Sequence, residues 1–170
     1  MLSGLENEKD DVIRAPRSGD WLLWAIVAAI GAHIIEEYAL NFPGWSARGF
    51  GMPISAEDFH LVNFGVIVYS IACAAIGWRA PWLSLSSASL VVLNAVGFHF
   101  AFSLVSGLYS PGTASALILF VPSGVAAYLA AHRAGVLTRR GLILSIAIGL
   151  AWHAFLGGIF YVRYFFPLYR

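Results

Sequence analysis

Three side chains that can bind a metal ion or transfer a proton stand within five residues of one another: His33, Glu36 and Glu37. In a helix, positions i, i+3 and i+4 are neighbours on one face, so a single helix can present an imidazole nitrogen and a carboxylate oxygen to one point. Such ligands suit zinc, iron or manganese. The flanking residues are apolar, and a charged side chain costs about 2.5–3.5 kcal/mol at the centre of a bilayer. We therefore predict a functional site here.

The composition is that of an integral membrane protein. Of 170 residues, 59% are hydrophobic and only 11% are charged, with a formal net charge of +1. The chain has no basic block of the kind that binds nucleic acid, so we predict no nucleic-acid partner. The single cysteine, Cys73, cannot form a disulfide framework or a thiolate metal site within one chain.

Five apolar segments follow a polar stretch, and each is close to the roughly 20 residues that span a bilayer as a helix. We predict an all-α, polytopic bundle of five transmembrane helices over residues 20–170, preceded by a short flexible cytoplasmic tail over residues 1–19. A Gly-rich link containing Arg48, Gly49, Gly51 and Pro53 is expected between the first two helices. The predicted segments are about Asp20 to Asn41, Glu57 to Trp78, Pro81 to Ser106, Pro111 to Ala131 and Gly141 to Phe166.

The distribution of Lys and Arg predicts the orientation in the cell membrane. With the N-terminus in the cytoplasm, seven basic residues fall on the inner side and three, Arg48, Arg163 and Arg170, on the outer side. Cytoplasmic loops carry the excess of basic residues in membrane proteins. We therefore predict a cytoplasmic N-terminus and an external C-terminus.

Counting residues from the predicted helix ends brings most histidines to one depth. His33, His60, His99 and His153 fall in or near the outer half of the membrane, together with both glutamates of the first helix. We expect His33, Glu36, His99 and His153 as candidate metal ligands and Glu36 or Glu37 as the catalytic base, with His60 and Asn94 in supporting roles. The structural alternatives are a buried charge pair at His33 and hydrogen bonds between helices at the other positions.

The start of the predicted fourth helix adds a second element at this depth. Ser110 is a plausible N-cap and Pro111 a plausible first helical residue. The free amides of such an end, near Gly112 and Ser115, can hold a carboxylate, a phosphate or a developing oxyanion. The alternative is an ordinary helix start.

The stretch His33-Ile-Ile-Glu36-Glu37 resembles the signature of the HXXEE family of small, multi-helix bacterial membrane proteins, whose function is unassigned. Asn94-Ala95 before His99, and Pro111-Gly112 followed by Ser115, resemble two further motifs of that family. The resemblance covers most of the chain after residue 20 and implies a metal-dependent protein. The five-residue interval from Asn94 to His99 corresponds to about 140° on an ideal helix, so these side chains share a face only if the helix is locally distorted.

Three functions are compatible with these residues. The favoured one is an intramembrane, metal-dependent, hydrolase-like enzyme acting on a lipid or membrane-proximal substrate. The first alternative is a metal-free acid–base isomerase or cyclase of an apolar, terpenoid- or sterol-like substrate. The second is a proton-coupled transporter, for which five helices without a repeat would require oligomerisation. Membrane lipids and a small apolar molecule are the expected partners, and oligomers are compatible with each hypothesis.

Overall fold

The computed structural model describes residues 19–166. Within that range the fold is all-α, with six helices and no strand, and five of the helices are long and apolar enough to cross a membrane. The prediction of a five-helix membrane bundle is thereby confirmed. Apart from Gly19, the predicted N-terminal tail lies outside the described residues. The helices are α1 (Trp21–Ala39), α2 (Phe42–Phe50), α3 (Ala56–Ile76), α4 (Pro81–Ser106), α5 (Thr113–Arg133) and α6 (Arg139–Phe165).

α2 corrects the prediction of a Gly-rich link after α1. Asn41 adopts a left-handed conformation (φ 54°), and its side chain accepts a hydrogen bond from the Gly44 amide at 3.1 Å. Gly51, also left-handed (φ 69°), ends the helix. The helix buries Phe42 and Trp45. Tertiary burial and these two caps therefore outweigh the poor helix propensity of the glycines.

The hydrophobic core lies between α1 and α4. Leu23, Ile26 and Ile30 of α1 meet Leu85 and Val91 of α4 there, and all five are buried. α4 is the central helix and packs against α1, α3, α5 and α6. α6 lies at the periphery. Only 11% of its most apolar 18-residue stretch is buried inside the bundle.

Two helices contain π-helical segments. In α4 the segment is Asn94–Ala101, and in α5 it is Ala116–Phe120. A π-helix pairs residues i and i+5 and is rare, and it is frequently found at functional sites. Asn94 and His99 can share a face only if the helix is locally distorted, and the π-helical segment of α4 is such a distortion. Both segments adjoin the end of the bundle where α1 and α4 end and α5 begins.

Candidate functional site

A buried cluster lies at this end of the bundle and consists of His33, Glu37 and His99, which we call the triad. Their exposed fractions are 4%, 6% and 0%. Nε2 of His33 lies 3.4 Å from Glu37 Oε1, and Nε2 of His99 lies 3.6 Å from the same oxygen. One ligand atom from each residue falls within 4.8 Å of the other two. The site therefore joins α1 to the π-helical segment of α4.

Serine hydroxyls orient both imidazoles. Nδ1 of His33 is 2.9 Å from Ser115 Oγ, and Nδ1 of His99 is 3.1 Å from Ser110 Oγ. Ser115 Oγ donates to the Gly112 carbonyl at 3.2 Å, so its lone pairs can accept a hydrogen bond from His33 Nδ1–H. Ser110 Oγ likewise donates to the Pro111 carbonyl, at 3.5 Å. With Nδ1 protonated, each Nε2 presents a lone pair to Glu37, as in a metal-binding histidine held by a second hydrogen bond.

The six residues from Ser110 to Ser115, which we call the Pro-Gly junction, form the wall of the triad. Gly112 has φ 93°, and a Cβ atom there would lie 2.6 Å from His33 Cε1, 2.8 Å from Glu37 Cγ and 2.9 Å from His99 Cε1. Only glycine combines that backbone conformation with so close an approach. α5 begins at Thr113, with Gly112 at the cap position, rather than at Pro111 after a Ser110 cap. Ser110 instead contacts His99.

Glu36 lies apart from the triad. Its carboxylate accepts hydrogen bonds from the Ser115 amide at 2.7 Å, the Ala114 amide at 3.3 Å and the Tyr109 hydroxyl at 2.9 Å. The carboxylate thus occupies the N-terminal amides of α5, where a negative charge is stabilised. Of the anions that such a helix start can hold, the one present is a carboxylate, from Glu36 of α1. Burial, and after it the hydrogen bond to Glu36, raises the pKa of Tyr109 above its usual value.

A cavity of about 140 Å³ adjoins the triad. His33 and Glu37 line it, and its other polar lining residues are Asn63, Asn94 and His153, while the remainder of its wall is mainly apolar. Asn94 Oδ1 is buried and has no hydrogen-bond partner among the described residues. His153 contacts the Gly149 carbonyl through Nδ1 at 3.4 Å, and it does not belong to the group of three potential ligands. His153 therefore lies beside the triad rather than in it.

His60 is not part of this site. It is exposed near the start of α3, where its ring lies 5.5 Å from that of Tyr38. Ser110 and Tyr109, the partners of His99 and Glu36, were not predicted in these roles. The available signal was their position beside Pro111-Gly112, because residues flanking such a turn must lie near whatever the turn contacts.

Comparison with known proteins supports the family that the motif indicates. A family profile described as "Protein of unknown function with HXXEE motif" matches residues 24–127, which include the triad and the Pro-Gly junction. The chain is 31% identical over 105 residues to the uncharacterized protein YrkK of Bacillus subtilis (strain 168), a match that covers 55% of this chain and 64% of that protein. No solved structure matches significantly. The profile match over most of the bundle shows that the chain belongs to the HXXEE family.

Proposed function

We propose that this protein is an intramembrane, metal-dependent enzyme of the hydrolase type, with His33, Glu37 and His99 as the metal ligands. The observation that carries the proposal is the convergence of three lone-pair atoms in a buried space. Nε2 of His99 has no hydrogen-bond donor or acceptor within bonding distance among the described residues. Acceptors that face one another without a shared proton or cation repel, and burial strengthens the repulsion. A bound cation removes it.

The dimensions fit such an ion. Zinc bonds to imidazole nitrogen and carboxylate oxygen at about 2.0–2.2 Å, which in a tetrahedral arrangement separates neighbouring ligand atoms by roughly 3.4 Å. The two distances to Glu37 Oε1 are 3.4 and 3.6 Å. Two histidines and one carboxylate are a ligand set of catalytic zinc and of non-haem iron, and three protein ligands leave a position open for water or substrate. When bound, such an ion would supply Lewis-acid polarisation and lower the pKa of a water molecule.

The surrounding residues divide the remaining tasks. Glu36 is engaged with α5, so it positions the Pro-Gly junction and is not the base. His153, which lines the same cavity, is the candidate for proton transfer. In hydrolysis the water oxygen bonds to the electrophilic carbon, the bond to the leaving group breaks, and the water proton passes through His153 to the leaving atom. Asn94 Oδ1 accepts a hydrogen bond from the water or the substrate.

Metal content tests the first part of the proposal. We expect about one equivalent of zinc, iron or manganese in detergent-purified wild type, and near-complete loss in His33→Ala, Glu37→Gln and His99→Ala. The matched control is His60→Ala, which removes an exposed histidine and keeps the metal. Mass-spectrometric metal analysis after chelation and repletion measures this. Wild type that takes up no metal, or triad variants that retain it, would refute the proposal.

The catalytic part has its own test. Hydrolysis of micellar fluorogenic esters by the metal-loaded protein should fall about 10²- to 10⁴-fold in His153→Ala, the usual cost of losing an acid–base group. The metal content of this variant should equal that of wild type. If His153→Ala instead loses the metal, His153 is a ligand; if it hydrolyses at the wild-type rate, it transfers no proton.

The same geometry favours one alternative, metal-free acid–base chemistry. Glu37 Oε1 lies near both Nε2 atoms, so a single proton placed among them would also relieve the repulsion and could be donated to an apolar substrate in the cavity. An isomerase or cyclase of this kind requires the triad but no metal. Metal-free protein that binds apolar amines, with binding lost in Glu37→Gln, is the result that selects this function.

A further inference from the structure

The wall of the cavity between α3 and α6 is built from two matching helix faces. The lining residues of α3 run from Phe59 to Val66, and those of α6 run from His153 to Phe160. In each helix they stand at i, i+3, i+4 and i+7, which is one continuous face. Seven residue steps of 1.5 Å make this opening, which we call the α3–α6 slot, about 10 Å long.

Side-chain contacts between the two helices lie beyond both ends of the slot. At one end Asp58 forms an ion pair with Arg163. At the other end the ring of Tyr69 contacts that of Trp152 in a tilted arrangement, with centroids 4.4 Å apart. Between these contacts the helices face each other across the cavity, with His33, Glu37 and Asn94 on the inner wall.

The end of the bundle beside the triad is covered. Phe42, Trp45, Ile54 and Phe59 form a buried cluster there. Phe42 is also part of the cavity wall, so α2 covers the cavity on that side. A solute approaching along the bundle axis from this end would have to displace that cluster. α3 and α6 are both long and apolar enough to cross a membrane, and in a bilayer a slot between two such neighbouring helices would adjoin lipid.

We propose that the α3–α6 slot is a lateral binding site for the hydrocarbon chain of a membrane molecule whose polar group then lies against the triad. A bilayer provides such chains at high local concentration, and an apolar cavity of ~150 Å³ accepts a molecule the size of benzene. The cavity of about 140 Å³ is therefore suited to a segment of about six carbon atoms. As a statement of substrate class this inference rests on the proposed function, but binding of the chain does not require the metal.

Gly157 makes the site testable. It lines the slot, and a Cβ atom there would meet no other atom within 4 Å. A large side chain at this position would therefore fill the slot without a clash at its base. Gly158 also has open space at its Cβ position but does not line the cavity, so it is the matched control.

The experiment uses the full chain in phosphatidylcholine nanodiscs that contain a fatty acid with a photoreactive diazirine in its chain. Mass spectrometry compares labelling of the slot residues Val62 and Leu156 with that of the exposed residues Phe64 and Phe155. We expect Gly157→Phe to lower slot labelling about tenfold, a difference of about 1.4 kcal/mol, while Gly158→Phe leaves it unchanged. Val66→Trp fills the slot from α3 and should have the same effect as Gly157→Phe, which guards against misfolding of one variant.

Equal slot labelling in wild type, Gly157→Phe and Gly158→Phe would overturn the inference, as would labelling confined to the exposed residues. Wild type treated with a chelator separates this inference from the proposed function, because it loses any bound metal without a change in the lining of the slot and should keep slot labelling. If slot labelling persists in a protein that never binds metal, the proposed function fails and the slot stands. If metal binds but the slot is not labelled, the slot fails alone.

Discussion

Glu36 and Glu37 are adjacent in the sequence but have different environments. Successive residues of a helix are rotated by about 100°, so Glu37 shares a face with His33 while Glu36 faces the start of α5. Glu37 is 6% exposed and meets two imidazoles, whereas three donors hold the Glu36 carboxylate. Glu37 therefore belongs to the triad, whereas Glu36 holds the Pro-Gly junction against the triad.

The backbone at Gly112 packs directly against all three residues of the triad. We predict that Gly112→Ala abolishes the proposed metal binding, because the added methyl group would overlap all three residues of the triad. The left-handed conformation adds about 1–2 kcal/mol of strain. Metal content and the thermal unfolding midpoint check this prediction.

Gly107→Ala is the control for that substitution. Gly107 is also left-handed (φ 68°), but its Cβ position is open. It should lose only the stability that the left-handed conformation costs and keep the proposed metal binding. Equal metal content in Gly112→Ala and Gly107→Ala would show that the close approach of Gly112 does not shape the site.

Tyr109 gives a pH-dependent prediction. Its pKa is raised, by burial first and by the hydrogen bond to Glu36 second, so the folded state holds the phenolic proton more tightly than the unfolded chain does. The associated stability is fully present below the ordinary tyrosine pKa of about 10 and is lost as the pH rises through the raised value.

The ultraviolet difference titration of wild type against Tyr109→Phe isolates this group. We expect its midpoint above the ordinary tyrosine value in wild type, and closer to that value when the same difference is measured in a Glu36→Gln background. A midpoint that Glu36→Gln does not move would mean that the hydrogen bond between the two side chains is not formed.

At the scale of the elements, the π-helical segment of α4 determines where His99 lies. Asn94 opens that segment, and Asn94 lines the cavity while His99 completes the triad. On a regular α-helix the five-residue interval would turn the two side chains about 140° apart. The wider turn of the π-helix lets one stretch serve both the cavity and the triad.

Deleting Gly97 tests the role of the π-helix. Gly97 is exposed, and its Cβ position is free of neighbours. A π-turn closes between residues i and i+5 and an α-turn between i and i+4, so removal of one residue converts the segment to a regular α-helix and leaves His99 facing the triad. We predict that this variant keeps its helicity and the proposed metal binding, as measured by circular dichroism and metal analysis. The control deletes both Val96 and Gly97, which are exposed; it rotates His99 by about 100° and should lose metal binding. Loss of metal binding in the single deletion would contradict the role assigned to the π-helix.

At the scale of the whole molecule, the site lies at the end of the bundle that carries α2. The charge distribution predicts that this end faces the outside of the cell, because the predicted topology assigns seven of the ten basic residues of the sequence to the cytoplasmic side. Together with the slot, this orientation directs the search for substrates to molecules of the outer leaflet.

Single cysteines in a Cys73→Ala background test the orientation. Arg48→Cys lies in α2 and His132→Cys lies near the end of α5 at the opposite side of the bundle, and both positions are exposed. We expect a membrane-impermeant maleimide to label Arg48→Cys in intact cells and to label His132→Cys only after permeabilisation. The reverse pattern would place the site on the cytoplasmic side.

The sequence by itself determined the class of fold and the helix that carries the motif. Hydrophobic length requires membrane-spanning helices, because backbone groups in lipid must be paired within the segment. Helical spacing places His33 and Glu37 on one face, counting residues from the predicted helix ends indicated His99, and the residue types of a helix start indicated the Pro-Gly motif. These inferences depend on residue types and spacings within one segment, and both can be read directly from the sequence.

Only the tertiary structure decided which of the candidate residues meet. It joined His99 to His33 and Glu37, left His60 on the surface, placed His153 beside the cavity and paired Glu36 with the amides of α5. It also formed α2, whose glycines have low helix propensity, and the π-helical segments. The physical reason is that these features depend on the rotation and packing of one helix against another, which the spacing within a single helix does not contain.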